Sequence, residues 1–124
     1  IHAVKADVFA PCALGAGLNA TTIPELAAPI ICGGANNQLA TEEDGARLVA
    51  RGITYAPDYV VNAGGIINVS AEYLGEAADV VEGRVRAIAP RVLKVLDIAK
   101  SDGLTPQQAA DRIVRERLAA AKRA

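Results

Sequence analysis

The chain has 124 residues, enough for one domain that buries roughly two-thirds of the surface its unfolded form would expose. Apolar residues make up 52% and aromatics only 3%, so a core must be built from Ala, Val, Ile and Leu. A net charge of -1 excludes the basic excess of a nucleic-acid-binding protein, and no apolar run approaches the roughly 18 residues of a membrane span.

The opening, Ile1-His2-Ala3-Val4-Lys5, has none of the features of a signal peptide and is expected to enter a longer chain midway. Residues 6–10 are a short apolar run stopped by Pro11, and residues 29–32 are a second, closed by Gly33-Gly34; both are expected to be buried strands. Between them Gly15-Ala16-Gly17 begins like a dinucleotide-binding fingerprint, but Ala20 stands where the third glycine belongs, so that reading is rejected. A short segment follows around Thr22-Ile23-Pro24-Glu25-Leu26. Residues 42–51 predict a helix with Thr41 as N-cap, Gly52 as its stop, and Ala46, Leu48 and Val49 facing a sheet.

Residues 53–56 are the third expected strand, followed by a turn at Pro57-Asp58 and the apolar pair Val60-Val61. Strand, helix and strand at this spacing imply a parallel sheet with right-handed crossovers. Beyond Gly64-Gly65 only helices are expected, over residues 66–74, 82–100 and 106–122. Thr105 caps the last of these, with Pro106 at the first helical position and Gln108 three residues after the cap. Ile88, Val92, Val95, Leu96 and Ala99, then Ala109, Ile113 and Leu118, form apolar stripes that need a partner surface: each other, the sheet or another chain.

Charge is divided unevenly. Residues 1–83 carry three basic and ten acidic side chains (-7), and residues 84–124 carry ten and four (+6), which suggests a solvated basic tail or one that answers an acidic surface. Cys12 and Cys32 are too few and too far apart for a disulfide framework or a metal site, and they read as buried free thiols in a reducing cytoplasm. His2, the sole histidine, is expected to be solvated, and Tyr55, Tyr59 and Tyr73 to be core or rim packing.

Three expected strand ends carry small or amide residues: Pro11-Cys12-Ala13-Leu14-Gly15, Gly33-Gly34-Ala35-Asn36-Asn37 and Asn62-Ala63-Gly64-Gly65. Ligands of open α/β sheets bind beyond the carboxyl ends of the strands, where small residues admit a ligand to the backbone and amides offer donors and acceptors. Taken singly, each segment also suits a turn or a helix cap; three in register point to one crevice.

The segments Asp7-Val8-Phe9-Ala10-Pro11-Cys12-Ala13-Leu14-Gly15, Ala35-Asn36-Asn37-Gln38-Leu39 and Tyr55-Ala56-Pro57-Asp58-Tyr59-Val60-Val61-Asn62-Ala63-Gly64-Gly65 resemble, in order and spacing, the leucine, valine and phenylalanine dehydrogenases. The resemblance implies an α/β fold: the second half of a Rossmann-like domain, about three parallel strands with flanking helices, followed by a helical tail. It divides the chain into residues 1–65, part of an NAD-binding domain, and residues 66–124, a helical segment returning toward a substrate domain. The activity implied is the NAD-dependent, reversible oxidative deamination of a branched-chain or aromatic L-amino acid to its 2-oxo acid and ammonia, in a cytoplasmic homo-oligomer.

By the same resemblance Cys12 and Ala13 line the path of the NAD cofactor, with Ala13 near the nicotinamide ribose. Asn36 lies by the nicotinamide and substrate, Asn62 lies by the carboxamide end, and Ile66 and Val69 help to line the substrate pocket. Both are β-branched and of middling size, which suits leucine, valine or isoleucine better than phenylalanine. No catalytic acid or base is expected among these residues, and Asp58 reads as a turn residue. The glycine-rich pyrophosphate turn, the ribose-binding acid and the catalytic lysines of the family have no counterpart here, so these 124 residues alone are expected to be inactive. The competing reading is a non-enzymatic binding or assembly module on a half Rossmann sheet.

Overall fold

The computed structural model describes residues 1–123. Three short strands, β1 (Val8–Phe9), β2 (Ile30–Ile31) and β3 (Thr54–Tyr55), lie in that order in a parallel sheet. Their register aligns Val8 with Ile30 and Thr54, and Phe9 with Ile31 and Tyr55. Because alternate side chains of a strand point to opposite faces, the two rows part company. The first is exposed, whereas Ile31 and Tyr55 of the second are buried beside a half-buried Phe9.

A 3₁₀ turn (Ile23–Glu25) and the helix α1 (Glu42–Ala50) cover that second row. Leu18, Ile23, Leu26, Ile31, Leu48, Ile53 and Tyr55 form the core there, and full burial of a side chain such as Leu48 contributes roughly 1.5–3 kcal/mol. Thr41 starts α1 through a reciprocal cap: its backbone N–H donates to Asp44 at 2.9 Å, and its side chain meets the third backbone N–H of the helix. The chain leaves α1 at Gly52, whose φ of +67° is strained for any side-chain-bearing residue. Of the three residues expected to face the sheet, only Leu48 does so. Ala46 and Val49 are exposed, and the inward face is instead Asp44, Gly45 and Leu48. A Cβ added at Gly45 would fall 1.6 Å from Nε2 of Gln107, the far end of a flexible side chain, which would have to move aside.

The remainder is helical: α2 (Asp58–Val61), α3 (Gly64–Leu74), α4 (Ala78–Arg86), α5 (Ile88–Asp102) and α6 (Pro106–Ala121). The single helix expected over residues 82–100 is therefore two. Pro90 is the physical reason: without an N–H, and with a ring that collides with the carbonyl four residues earlier, it fits the first turn of α5 but not the middle of a longer helix. Thr105 caps α6 as expected, accepting from the Gln108 N–H at 3.4 Å while the Gln108 side chain takes the Thr105 N–H at 3.0 Å.

The stripes on α5 and α6 meet each other. Val95 and Ala99 are buried against Ala109 and Ala110, flanked by Val60, Ile98, Leu104 and Ile113, whereas Leu118 is 59% exposed. Tyr59 joins the two halves of the molecule, its hydroxyl lying 3.2 Å from the Gln107 carbonyl and 3.2 Å from the Asp111 carboxylate. Gln107 also donates to the Glu42 carbonyl at 3.3 Å. The basic tail is partly neutralised, Arg84 by Glu76 of the acidic part at 2.5 Å and Arg112 by Asp102 of the tail itself at 2.5 Å. Such surface pairs contribute about 0–1 kcal/mol each.

Several side chains depart from expectation. Tyr55 is buried and Tyr59 lies at a rim, but Tyr73 is 90% exposed, because α3 packs on α4 and buries only Ala71. His2 is half-buried rather than solvated, its ring edge-on to Phe9 at 5.2 Å. Cys12 is exposed and Cys32 only half-buried; both follow the ends of their strands instead of filling the core. Among the described residues no helix is long and apolar enough to cross a membrane.

Candidate functional site at the carboxyl ends of the strands

All three strands point their carboxyl ends to one crest, and the parallel ladder runs on into it. The Cys32 N–H donates to the Phe9 carbonyl at 3.1 Å, the Ala35 N–H to the Pro11 carbonyl at 2.9 Å and the Ala56 N–H to the Ile31 carbonyl at 2.9 Å. Close approach of the first two loops requires Gly33, since a Cβ there would lie 2.3 Å from the Pro11 carbonyl oxygen. At Gly34 the N–H meets Cys12 Sγ at 3.4 Å. A Cβ at this position would occupy the gap between Cys12 Sγ (3.9 Å) and Asn62 Oδ1 (4.0 Å).

Asn62, directly after α2, closes the group. Its Nδ2 donates to the Gly34 carbonyl at 2.7 Å and to Asn36 Oδ1 at 3.0 Å. Among the described residues nothing takes up Asn36 Nδ2 or Asn62 Oδ1, so the paired amides present one outward donor and one outward acceptor. That set is complementary to a carboxamide, and it is uncharged. The structure thus brings Cys12, Asn36 and Asn62 together, with Ala13 exposed beside Cys12. Ile66 (67% exposed) and Val69 (60% exposed) stand on an outward face of α3. Together these residues form a cradle at Gly34, a small-residue wall at Cys12 and Ala13, and an uncharged amide pair.

Beneath the amides lies a support of buried polar groups that sequence reading did not single out. Gln38, fully buried, donates from Nε2 to the Gly33 carbonyl at 2.7 Å and the Ala35 carbonyl at 2.9 Å. Asp58 is also buried and is more than a turn residue. Its Oδ1 accepts from the Tyr55 hydroxyl at 2.8 Å and its Oδ2 from the Asn37 N–H at 2.9 Å. Burial, and then the neighbouring Asp58 carboxylate, push the Tyr55 hydroxyl above its ordinary range and keep it a donor. The loop is held from its other side by Gly15 and Ala16: the Ala16 N–H donates to the Asn37 carbonyl at 2.7 Å, and a Cβ on Gly15 would come within 2.9 Å of the Asn36 carbonyl oxygen. No local signal marks this support, because the bond from Asn37 to Asp58 spans 21 residues.

A cleft of about 890 Å³ lies elsewhere, between the start of α1, α2 and α6, lined among others by Thr41, Tyr59, Gln107 and Arg115. Asn37, Leu39 and Ala40 of the loop after β2 reach it, as do Tyr55 and Asp58, while Cys12, Ala13, Asn36 and Asn62 do not line it. Among the described residues no group of three His, Cys, Asp or Glu is arranged to hold a metal ion.

Comparison with known proteins adds four findings. A family model described as glutamate/leucine/phenylalanine/valine dehydrogenase matches residues 1–124. A leucine dehydrogenase of Bacillus cereus is 48% identical over 122 residues, covering 98% of this chain and 33% of that protein. The crystal structure of L-tryptophan dehydrogenase from Nostoc punctiforme superposes with a TM-score of 0.94 at 45% identity, over 100% of this chain and 37% of that one. A hetero-hexameric glutamate dehydrogenase from Thermus thermophilus shares the fold, with a TM-score of 0.74 at 22% identity over 94% of this chain and 30% of that one. The chain thus spans about a third of the length of the relatives it matches.

Proposed function

The chain belongs to the glutamate/leucine/phenylalanine/valine dehydrogenase family, and we propose that it is the carboxy-terminal, cofactor-binding part of an NAD-dependent L-amino-acid dehydrogenase. The whole enzyme interconverts a branched-chain or aromatic L-amino acid with its 2-oxo acid and ammonia. Its relatives named for leucine and tryptophan support that substrate class. Membership of the family implies a nucleotide cofactor, and the assignment to NAD is part of the proposal.

The observation that carries the reading is the Asn36–Asn62 pair, whose remaining donor and acceptor face outward beside the Gly34 cradle. In this role Asn62 orients the carboxamide end of the cofactor and Asn36 faces the nicotinamide and the substrate. Cys12 and Ala13 form a close wall along the cofactor, with Ala13 near the nicotinamide ribose. When bound, NAD supplies the hydride acceptor. Neutral amides can hold its carboxamide without placing a fixed charge where a hydride must move.

Ile66 and Val69 narrow the side-chain pocket from α3 and favour branched-chain substrates over phenylalanine. Proton transfer to and from the amino group falls to residues outside these 124. We place the boundary of the cofactor part at residues 1–65, with residues 66–124 returning toward a substrate domain. The full enzyme is proposed to be a cytoplasmic homo-oligomer.

The test is kinetic. In the full-length protein, Asn36→Ala and Asn62→Ala should each lower kcat/KM by more than about tenfold, which is about 1.4 kcal/mol of transition-state stabilisation, while the denaturation midpoint stays near wild type. Unaltered efficiency with a lowered midpoint would make both residues structural caps and remove the reading.

A further inference from the structure

The buried carboxylate of Asp58 has a use beyond folding. Burying an ion is costly unless its oxygens are occupied, and here each oxygen takes one donor, the Tyr55 hydroxyl at 2.8 Å and the Asn37 peptide N–H at 2.9 Å. Asn37 has a φ of +53°, a left-handed conformation that asparagine tolerates better than most residues but that still needs support. Fixing its N–H fixes the plane of the peptide that joins it to Asn36. The loop does not depend on this bond alone, because the Ala16 N–H holds the Asn37 carbonyl at 2.7 Å and Gln38 grips the Gly33 and Ala35 carbonyls from within. What Asp58 adds is direction.

We propose that Asp58 is a positioning residue for Asn36: anchored by the Tyr55 hydroxyl, it holds the Asn37 peptide N–H and thereby aims the Asn36 carboxamide at its 3.0 Å contact with Asn62. The inference rests on the reading of Asn36 as a residue that faces cofactor and substrate. Asp58 itself touches neither.

A double-mutant cycle in the full-length protein separates the possibilities. Asp58→Ala should lower kcat/KM by about tenfold, and in an Asn36→Ala background it should lower it no further. Asp58→Asn should recover to within about threefold of wild type, since its Oδ1 can accept the Asn37 N–H while its Nδ2 donates to the tyrosine oxygen. Effects of Asp58→Ala and Asn36→Ala that multiply would overturn the inference while leaving the role of Asn36 intact, and so would an Asp58→Asn variant as impaired as Asp58→Ala. An Asn36→Ala variant with wild-type kinetics would remove the reading of Asn36 and this inference with it. If Asp58→Ala does not fold, Tyr55→Phe carries the same cycle. Its loss should be smaller and should vanish without the Asn36 amide, and a loss that persists there would count against the proposal.

Discussion

The sheet half of the molecule and its helical half are held together by different means. Around the sheet, large side chains such as Leu18, Ile31, Leu48 and Tyr55 fill the core, and polar side chains bind the loops. Asn19 takes the N–H groups of Thr21 and Thr22 at 3.0 Å each, while Gln38, Asp58 and Asn62 hold the crest. Between α5 and α6 the buried residues are Val95, Ala99, Ala109 and Ala110, and the polar bond across the seam, Arg112 to Asp102, lies at its exposed edge. The contrast follows from backbone accounting. Loops leave N–H and C=O groups that something must satisfy, whereas helices satisfy their own and need only a cap and a close apolar seam. The site lies where the backbone is irregular because only there must side chains be built inward to fix it.

The contrast is sharpest in the response to volume. Leu48→Ala removes a fully buried side chain from the sheet core and should cost about 2–5 kcal/mol in denaturant unfolding, as a cavity with few neighbours able to collapse. A loss under 1 kcal/mol would mean that the core repacks and that its large residues are not the main support. In the helical seam the damaging change is the reverse one. Ala109→Leu should overpack the approach of α5 to α6 and cost about 1–3 kcal/mol, and a neutral result would show the seam to be loose.

Capping is the next effect in size. Thr105→Ala removes the acceptor for the Gln108 N–H and should lower stability by about 1 kcal/mol, with Thr105→Asn close to wild type; equal losses in both would deny the cap any role. The smallest effect at neutral pH concerns the tyrosines. Burial and then the neighbouring carboxylate, Asp58 for Tyr55 and Asp111 for Tyr59, raise both hydroxyls above the ordinary value. An acid whose folded pKa is raised favours folding while neutral. Its contribution is complete below the unfolded value of about 10 and is lost as pH rises through the folded one. The denaturation midpoint should therefore be flat to about pH 9 and fall above pH 10, less steeply in Tyr55→Phe. An unchanged slope in that variant would assign the fall to other groups.

What was legible in the sequence was local. The strands lie inside the apolar runs, and the caps at Thr41 and Thr105 rest on bonds three residues apart, which a linear reading can find. The convergence of Cys12, Asn36 and Asn62 was legible because parallel strands must end on one side. The support beneath them was not. The bond from Asn37 to Asp58 joins residues 21 apart, and nothing in a turn-forming Pro57-Asp58 distinguishes an exposed carboxylate from a buried one. The break between α4 and α5 is marked in the sequence by Pro90, whereas the start of α4 at Ala78 carries no side-chain cap. Which face of α1 turns inward depended on β3 and the 3₁₀ turn, against which Leu48 packs, and Gly45 on that face meets Gln107 of α6.

That last contact has an evolutionary consequence. Glycine inside a helix costs roughly 0.5–1 kcal/mol relative to alanine, so position 45 has a standing incentive to change. Any side chain there would displace the Gln107 amide, which donates to the Glu42 carbonyl. A side chain at 45 and the present position of the Gln107 amide, 62 residues further on, therefore exclude each other. Across related sequences, departures from glycine at 45 should coincide with a shorter residue at 107, and each change made alone should be the less frequent history.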